Sequence, residues 1–88
     1  MNKLNVLLSD LGISKVRLAK YLGVSRQMLY NYLALDKLSD WPKEKATRLF
    51  SLLNIASEKE LDKIKIDGNY IIEVEGRLNE GVKDVTER

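Results

Sequence analysis

Apolar side chains recur every three or four residues along most of this chain, and glycine or short polar residues interrupt them at close intervals. Leu4, Leu7, Leu8 and Leu11 mark one face of a helix from about Lys3 to Leu11, which Gly12 ends. Val16, Leu18, Ala19 and Leu22 mark a second helix, from about Lys15 to Leu22. Leu29 and Leu33 give a third, from about Arg26 to Leu33, a narrow apolar stripe flanked by Met28 and Tyr32. A loop runs on to Trp41. Pro42 suits the first turn of a fourth helix, because its missing amide proton has no partner there in any case. That helix continues to about Leu53, with Ala46, Leu49, Phe50 and Leu53 inside, and Asn54-Ile55-Ala56 breaks it. Ser57-Glu58-Lys59-Glu60 has the wording of a capping box and predicts a fifth helix ending near Ile64.

The segment beyond carries two conflicting signals. Asp67-Gly68 between Lys63–Ile66 and Asn69–Glu75 is a two-residue hairpin turn signal. Ile71, Val74, Leu78, Val82 and Val85 instead recur at helical spacing for four turns, which favours a helix from about Asn69 to Lys83. Gly76 and Gly81 weaken that helix by roughly 1 kcal/mol each. Its apolar stripe is expected to need a partner.

The tightest punctuation lies between the second and third helices. Ser14 and Ser25 are N-caps whose hydroxyls accept amide protons of the first turn. Gly23 stands where a left-handed residue ends the second helix, Val24 plugs the corner, and small Ala19 permits a close helix crossing. Two short helices joined by so brief a turn, the second with an outward polar face of Arg26, Gln27, Tyr30 and Asn31, follow the grammar of a helix-turn-helix that reads the DNA major groove.

The run Leu18-Ala19-Lys20-Tyr21-Leu22-Gly23-Val24-Ser25-Arg26-Gln27 resembles the phage-repressor and Cro-like helix-turn-helix family, also called the XRE family. A weaker likeness extends from Leu4 to Leu61, about two thirds of the chain. The resemblance implies an all-α, compact five-helix domain over residues 1–66; residues 67–88 are read as a C-terminal extension, a helix in preference to a β-hairpin and a candidate dimerisation or partner-binding segment. It also implies operator binding, mostly as symmetric dimers, and repression or switching of transcription. The pattern departs after Tyr32: the family often has an acidic residue and then Asn-Gly, where Leu33-Ala34-Leu35-Asp36-Lys37-Leu38 stands here.

Within that motif, Gln27 is placed to pair bidentately with adenine N6 and N7. Arg26 suits guanine O6 and N7 or a phosphate, with both open. Asn31, four residues on, shares its helical face and reaches a neighbouring base or a phosphate. Tyr30 could contact a thymine methyl or a sugar, or cover the junction of the two helices. Lys15 and Arg17 open the second helix, near where it crosses the DNA backbone, and Ser14 and Ser25 could donate to phosphate besides capping. Lys37 and Lys43, flanking the following loop, are further phosphate candidates. Tyr21 and Tyr32 are expected to bridge core and solvent, and Trp41 to lid the core or meet a second subunit.

Charge sharpens this picture. Of 88 residues, those up to Ser57 include nine Lys or Arg and four Asp or Glu, whereas those from Glu58 include six and nine. The basic part attracts phosphate backbones, and the acidic segment faces away from DNA or meets another protein. One helix covers too few base pairs for useful specificity, which argues for a homodimer on a palindromic site. His and Cys are both absent, which removes the commonest general base, the strongest nucleophile, disulfides and thiolate metal sites. No cofactor, metal or enzyme activity is expected. No apolar run is long enough to cross a bilayer, so the expected location is cytoplasmic. The rival reading is an interaction module, a phage or mobile-element accessory protein or an antitoxin, in which the helix pair is a scaffold and the acidic segment binds a protein.

Overall fold

Leucine spacing decides the first element. Leu4, Leu7, Leu8 and Leu11 all face inward from α1 (Asn2–Leu11) and all are buried. The computed structural model describes the backbone of residues 2–86 and the side chains of residues 3–81. Gly12, at φ +72°, ends α1 and lets Ile13 turn back into the core. There follow α2 (Lys15–Leu22), α3 (Arg26–Leu33), a 3-10 turn (Leu38–Asp40), α4 (Lys43–Leu53), a 3-10 helix (Glu58–Lys63) and α5 (Gly68–Thr86). Among the described residues there is no strand, and no helix is long and apolar enough to cross a membrane. The result is a compact all-α domain of five α-helices around one hydrophobic core.

The helix ends follow local chemistry. Ser14 and Ser25 sit in extended backbone, and each hydroxyl accepts the amide proton three residues on, from Arg17 at 3.2 Å and Met28 at 3.1 Å. Gly23 ends α2 at φ +74°, a conformation costly for any residue with a Cβ. Only Val24 and Ser25 then separate it from α3. At the end of α4, Asn54 adopts the same left-handed region at φ +57°. Pro42 precedes α4 as its N-cap instead of entering the first turn.

Several expectations change. Val16, expected on the inner face of α2, is 43% exposed; Tyr21 occupies that face with Leu18, Ala19 and Leu22. Tyr21 and Tyr32 are buried more completely than a bridging position requires, and Tyr32 packs against the buried Trp41 with ring centroids 5.3 Å apart. Residues 58–63 form a 3-10 helix, not an α-helix. Leu61, its one apolar side chain, and the capping Ile64 are only partly buried, so little packing holds this segment to an α-helical period. The Glu60 carboxylate accepts the amide protons of Ser57 and Ala56, and Glu58 is drawn off to accept that of Leu38 at 2.9 Å.

The helical alternative prevails after residue 66. Asp67 acts as a helix cap, not a hairpin corner: its carboxylate accepts the Tyr70 amide proton at 2.8 Å. The stripe on α5 finds its cover within the same chain. Val74 and Leu78 are fully buried in the core and Ile71 is packed against it, while the side chains of Val82 and Val85 lie outside the described residues. Polar contacts add to this docking. Tyr70 donates its hydroxyl proton to Leu53 O at 2.6 Å, and Arg77 Nε donates to Leu52 O at 2.8 Å, satisfying carbonyls that the last turn of α4 leaves open. Burial of Tyr70 pushes its phenol pKa up, against an opposing pull from Arg77. Arg48 performs the corresponding service for α2. Its Nε and Nη2 donate to Tyr21 O at 3.0 and 2.8 Å while its guanidinium lies over the Tyr21 ring.

Candidate nucleic-acid interface

The two serine caps and the left-handed glycine fix the relative placement of α2 and α3, and the core then decides which face of α3 is left over. Leu29, Tyr32 and Leu33 point inward. Arg26, Gln27, Tyr30 and Asn31 are therefore all exposed, together with Met28. The face is polar because the apolar stripe is narrow, only two leucines and a tyrosine wide in eight residues.

Two groupings appear on this face. Gln27 Nε2 donates to Asn31 Oδ1 at 3.4 Å, a long bond between two exposed amides one helical turn apart. Lys15, from the first turn of α2, brings its ammonium to 5.8 Å from the centre of the Tyr30 ring, and the Arg26 guanidinium lies 5.9 Å from the same centre. Two cations from different helices thus lie within about 6 Å of the Tyr30 ring centre. A shallow pocket between Asn5, Lys15, Tyr30, Leu33 and Ala34 lies beside them.

Ser14 and Ser25 are exposed at the open ends of α2 and α3, where their hydroxyls already serve as caps. Lys37 and Lys43 are exposed beyond α3, on either side of the 3-10 turn, and are not gathered into the cluster around Tyr30. Lys43 instead stands at the edge of a groove of about 840 Å³ lined by Leu38, Trp41, Ala46, Phe50 and Ile55.

Arg17 is placed differently from every other candidate. Its guanidinium forms a two-pronged ion pair with Glu75 of α5, Nη1 to Oε1 at 3.1 Å and Nη2 to Oε2 at 2.7 Å, and Nη2 also donates to Asn79 Oδ1 at 2.7 Å. These hydrogen bonds hold the Glu75 carboxyl below its ordinary pKa and raise that of Arg17 further. Both side chains remain about one-third exposed, at 36% and 32%, so solvent screening keeps the pair's contribution to stability below about 1 kcal/mol. The only other ion pair among the described residues, Lys3–Asp62, lies on the exposed surface elsewhere. Glu75 and Asn79 escaped sequence reasoning. Their four-residue spacing on one acidic helix was visible, but nothing in the sequence gave the alignment of α5 against α2.

Compared with known proteins, the chain matches no family model, no curated protein and no solved structure.

Proposed function

We propose that this protein is a sequence-specific double-stranded DNA-binding regulator of transcription, acting in the cytoplasm as a homodimer, with α2 and α3 forming a helix-turn-helix of the phage-repressor kind. One observation carries the reading: α3 turns Arg26, Gln27, Tyr30 and Asn31 outward together while two unpaired cations, Lys15 and Arg26, gather at Tyr30. In this mode α3 enters the major groove. Gln27 reads adenine, and Asn31 reaches the next base. Arg26 reads guanine or grips a phosphate beside it. Lys15 and the hydroxyls of Ser14 and Ser25 set the register on the sugar–phosphate backbone, with Lys37 and Lys43 as outlying contacts. A repressor is the favoured form of regulator, since occupancy of a site by a bound domain is by itself enough to exclude other proteins from it.

Selection of bound sequences from a random duplex pool tests the reading. A palindromic site is expected to enrich, with half-sites about one helical turn apart. Gln27→Ala then removes preference at one base position per half-site, a loss of about 1–3 kcal/mol in discrimination. Lys15→Ala weakens all duplexes alike and lowers the salt slope by about one. Failure of any sequence to enrich, or equal loss on selected and scrambled DNA for Gln27→Ala, overturns the regulator reading.

The groove beside Trp41 favours a second reading, a protein-interaction module of the antitoxin or phage-accessory type. Its walls are largely apolar and the buried Trp41 Nε1 has no acceptor. A basic, unpartnered α3 face has no use in a module that binds only protein.

A further inference from the structure

We propose that α5 withholds Arg17 from DNA: the Glu75 carboxylate, seconded by Asn79, occupies the guanidinium fork that a backbone phosphate would otherwise take. This rests on the DNA-binding reading above. Arg17 is the third residue of α2, two positions after Lys15, on the end of the helix that crosses the backbone in that mode. A guanidinium presents two parallel N–H groups that fit carboxylate and phosphate oxygens equally well, so the two anions compete for one geometry. Here the carboxylate is built in. Contacts advance in step along both helices, Arg17 meeting Glu75 and Asn79 and Tyr21 meeting Gly81, so α5 delivers the carboxylate from a fixed track.

The pair is not needed to hold α5 in place. Val74 and Leu78 are fully buried, and Tyr70 and Arg77 bond the end of α4. An ion pair one-third open to solvent adds little to such docking. Its electrostatic effect is larger in proportion, because it cancels one positive charge within a turn of Lys15. The acidic helix therefore sets how strongly the domain holds DNA regardless of sequence, lowering affinity for selected and random sites alike, since base contacts from α3 are untouched.

The test titrates wild type, Glu75→Gln, Arg17→Gln, the double variant and Glu73→Gln against the selected site and a random duplex between 50 and 200 mM salt. Glu73 is exposed on the same helix and controls for the change in net charge. Glu75→Gln is expected to bind random duplex about three- to tenfold more tightly at low salt, with a salt slope steeper by about 0.9, one added phosphate contact. The double variant, which carries neither charge, should lose the gain and resemble wild type, and Arg17→Gln should bind both duplexes more weakly than wild type, because Glu75 is then uncompensated. Equal gains for Glu73→Gln and Glu75→Gln, a gain that survives in the double variant, or no gain at all overturns the proposal while leaving the regulator reading intact. Binding by Glu75→Gln alone supports it. Absence of DNA binding in every protein overturns both readings together.

Discussion

The outer face of α3 and the inner face of α5 carry comparable polar side chains with opposite fates. On α5, Tyr70, Glu75, Arg77 and Asn79 each bond another element of the chain, and the helix is docked chiefly by Val74 and Leu78 together with the bonds of Tyr70 and Arg77 to α4. On α3, Gln27 and Asn31 bond only each other, and Arg26 meets only an exposed tyrosine ring. Polar groups that find protein partners belong to the architecture. Those that the architecture leaves over in one cluster are the ones available to a ligand. By that standard the acidic helix α5 is a structural wall, and α3 carries the polar face that the architecture leaves over, which the proposed function assigns to DNA.

The comparison breaks first if α5 is a detachable appendage. Leu78 has no exposed surface. Leu78→Ala is expected to destabilise the domain by about 2–5 kcal/mol, the range for a leucine truncated in a core, with a single cooperative urea transition reporting on both halves of the chain. A loss under about 0.5 kcal/mol, or a separate early transition of α5, would show that the helix does not share the core.

Gly81 offers a finer probe of the same wall. A Cβ there meets Cδ1 and Cε1 of Tyr21, whose ring is buried and overlaid by Arg48. Gly81→Ala gains helix propensity, worth up to about 1 kcal/mol. Overpacking costs about 1–3 kcal/mol and is expected to win, because a buried ring cannot swing aside freely. Thermal unfolding should therefore shift downwards, and Gly76→Ala, where nothing lies within 4 Å, should shift it upwards. The opposite order for the two glycines would place α5 farther from α2 than described.

How much of this was legible beforehand depended on whether the signal was local. Gly12, Gly23, Ser14, Ser25 and Asn54 punctuate their own helices, and α1, α2, α3 and α4 fall where those residues predict, within a residue or so at each end. The outward face of α3 followed from the same spacing. Val16 misled because only its three-residue spacing to Ala19 is helical: two residues from Leu18 and six from Leu22, it lies on the side of a 3.6-residue helix away from the buried Leu18, Tyr21 and Leu22. The 57–64 segment misled because capping chemistry fixes where a helix begins, not whether it holds an α or a 3-10 period. Asp67-Gly68 is ambiguous in principle: an aspartate before glycine suits a turn and an N-cap alike, and only Val74 and Leu78 meeting the core decide between them. The Arg17–Glu75 pair spans 58 positions, and pairing of that kind has no local signature.

The smallest effect concerns that pair alone. Its depressed Glu75 pKa means that the folded state binds fewer protons there than the unfolded chain, so the contact stabilises the fold at neutral pH. That contribution is complete above the ordinary glutamate value of 4.5 and is lost as pH falls through the lower folded value. Arg17 stays charged throughout. Urea unfolding of wild type and Glu75→Gln should therefore differ by less than about 1 kcal/mol at pH 7, wild type being the more stable, and the two curves should converge in acid. Convergence isolates the pair from the apolar docking of α5, because Val74 and Leu78 carry no titratable group. A difference that persists in acid would mean that Glu75 supports α5 by packing rather than by charge. The carboxylate would then be no rival to a phosphate, and the contrast between a structural α5 and an available α2–α3 face would extend to Arg17 itself.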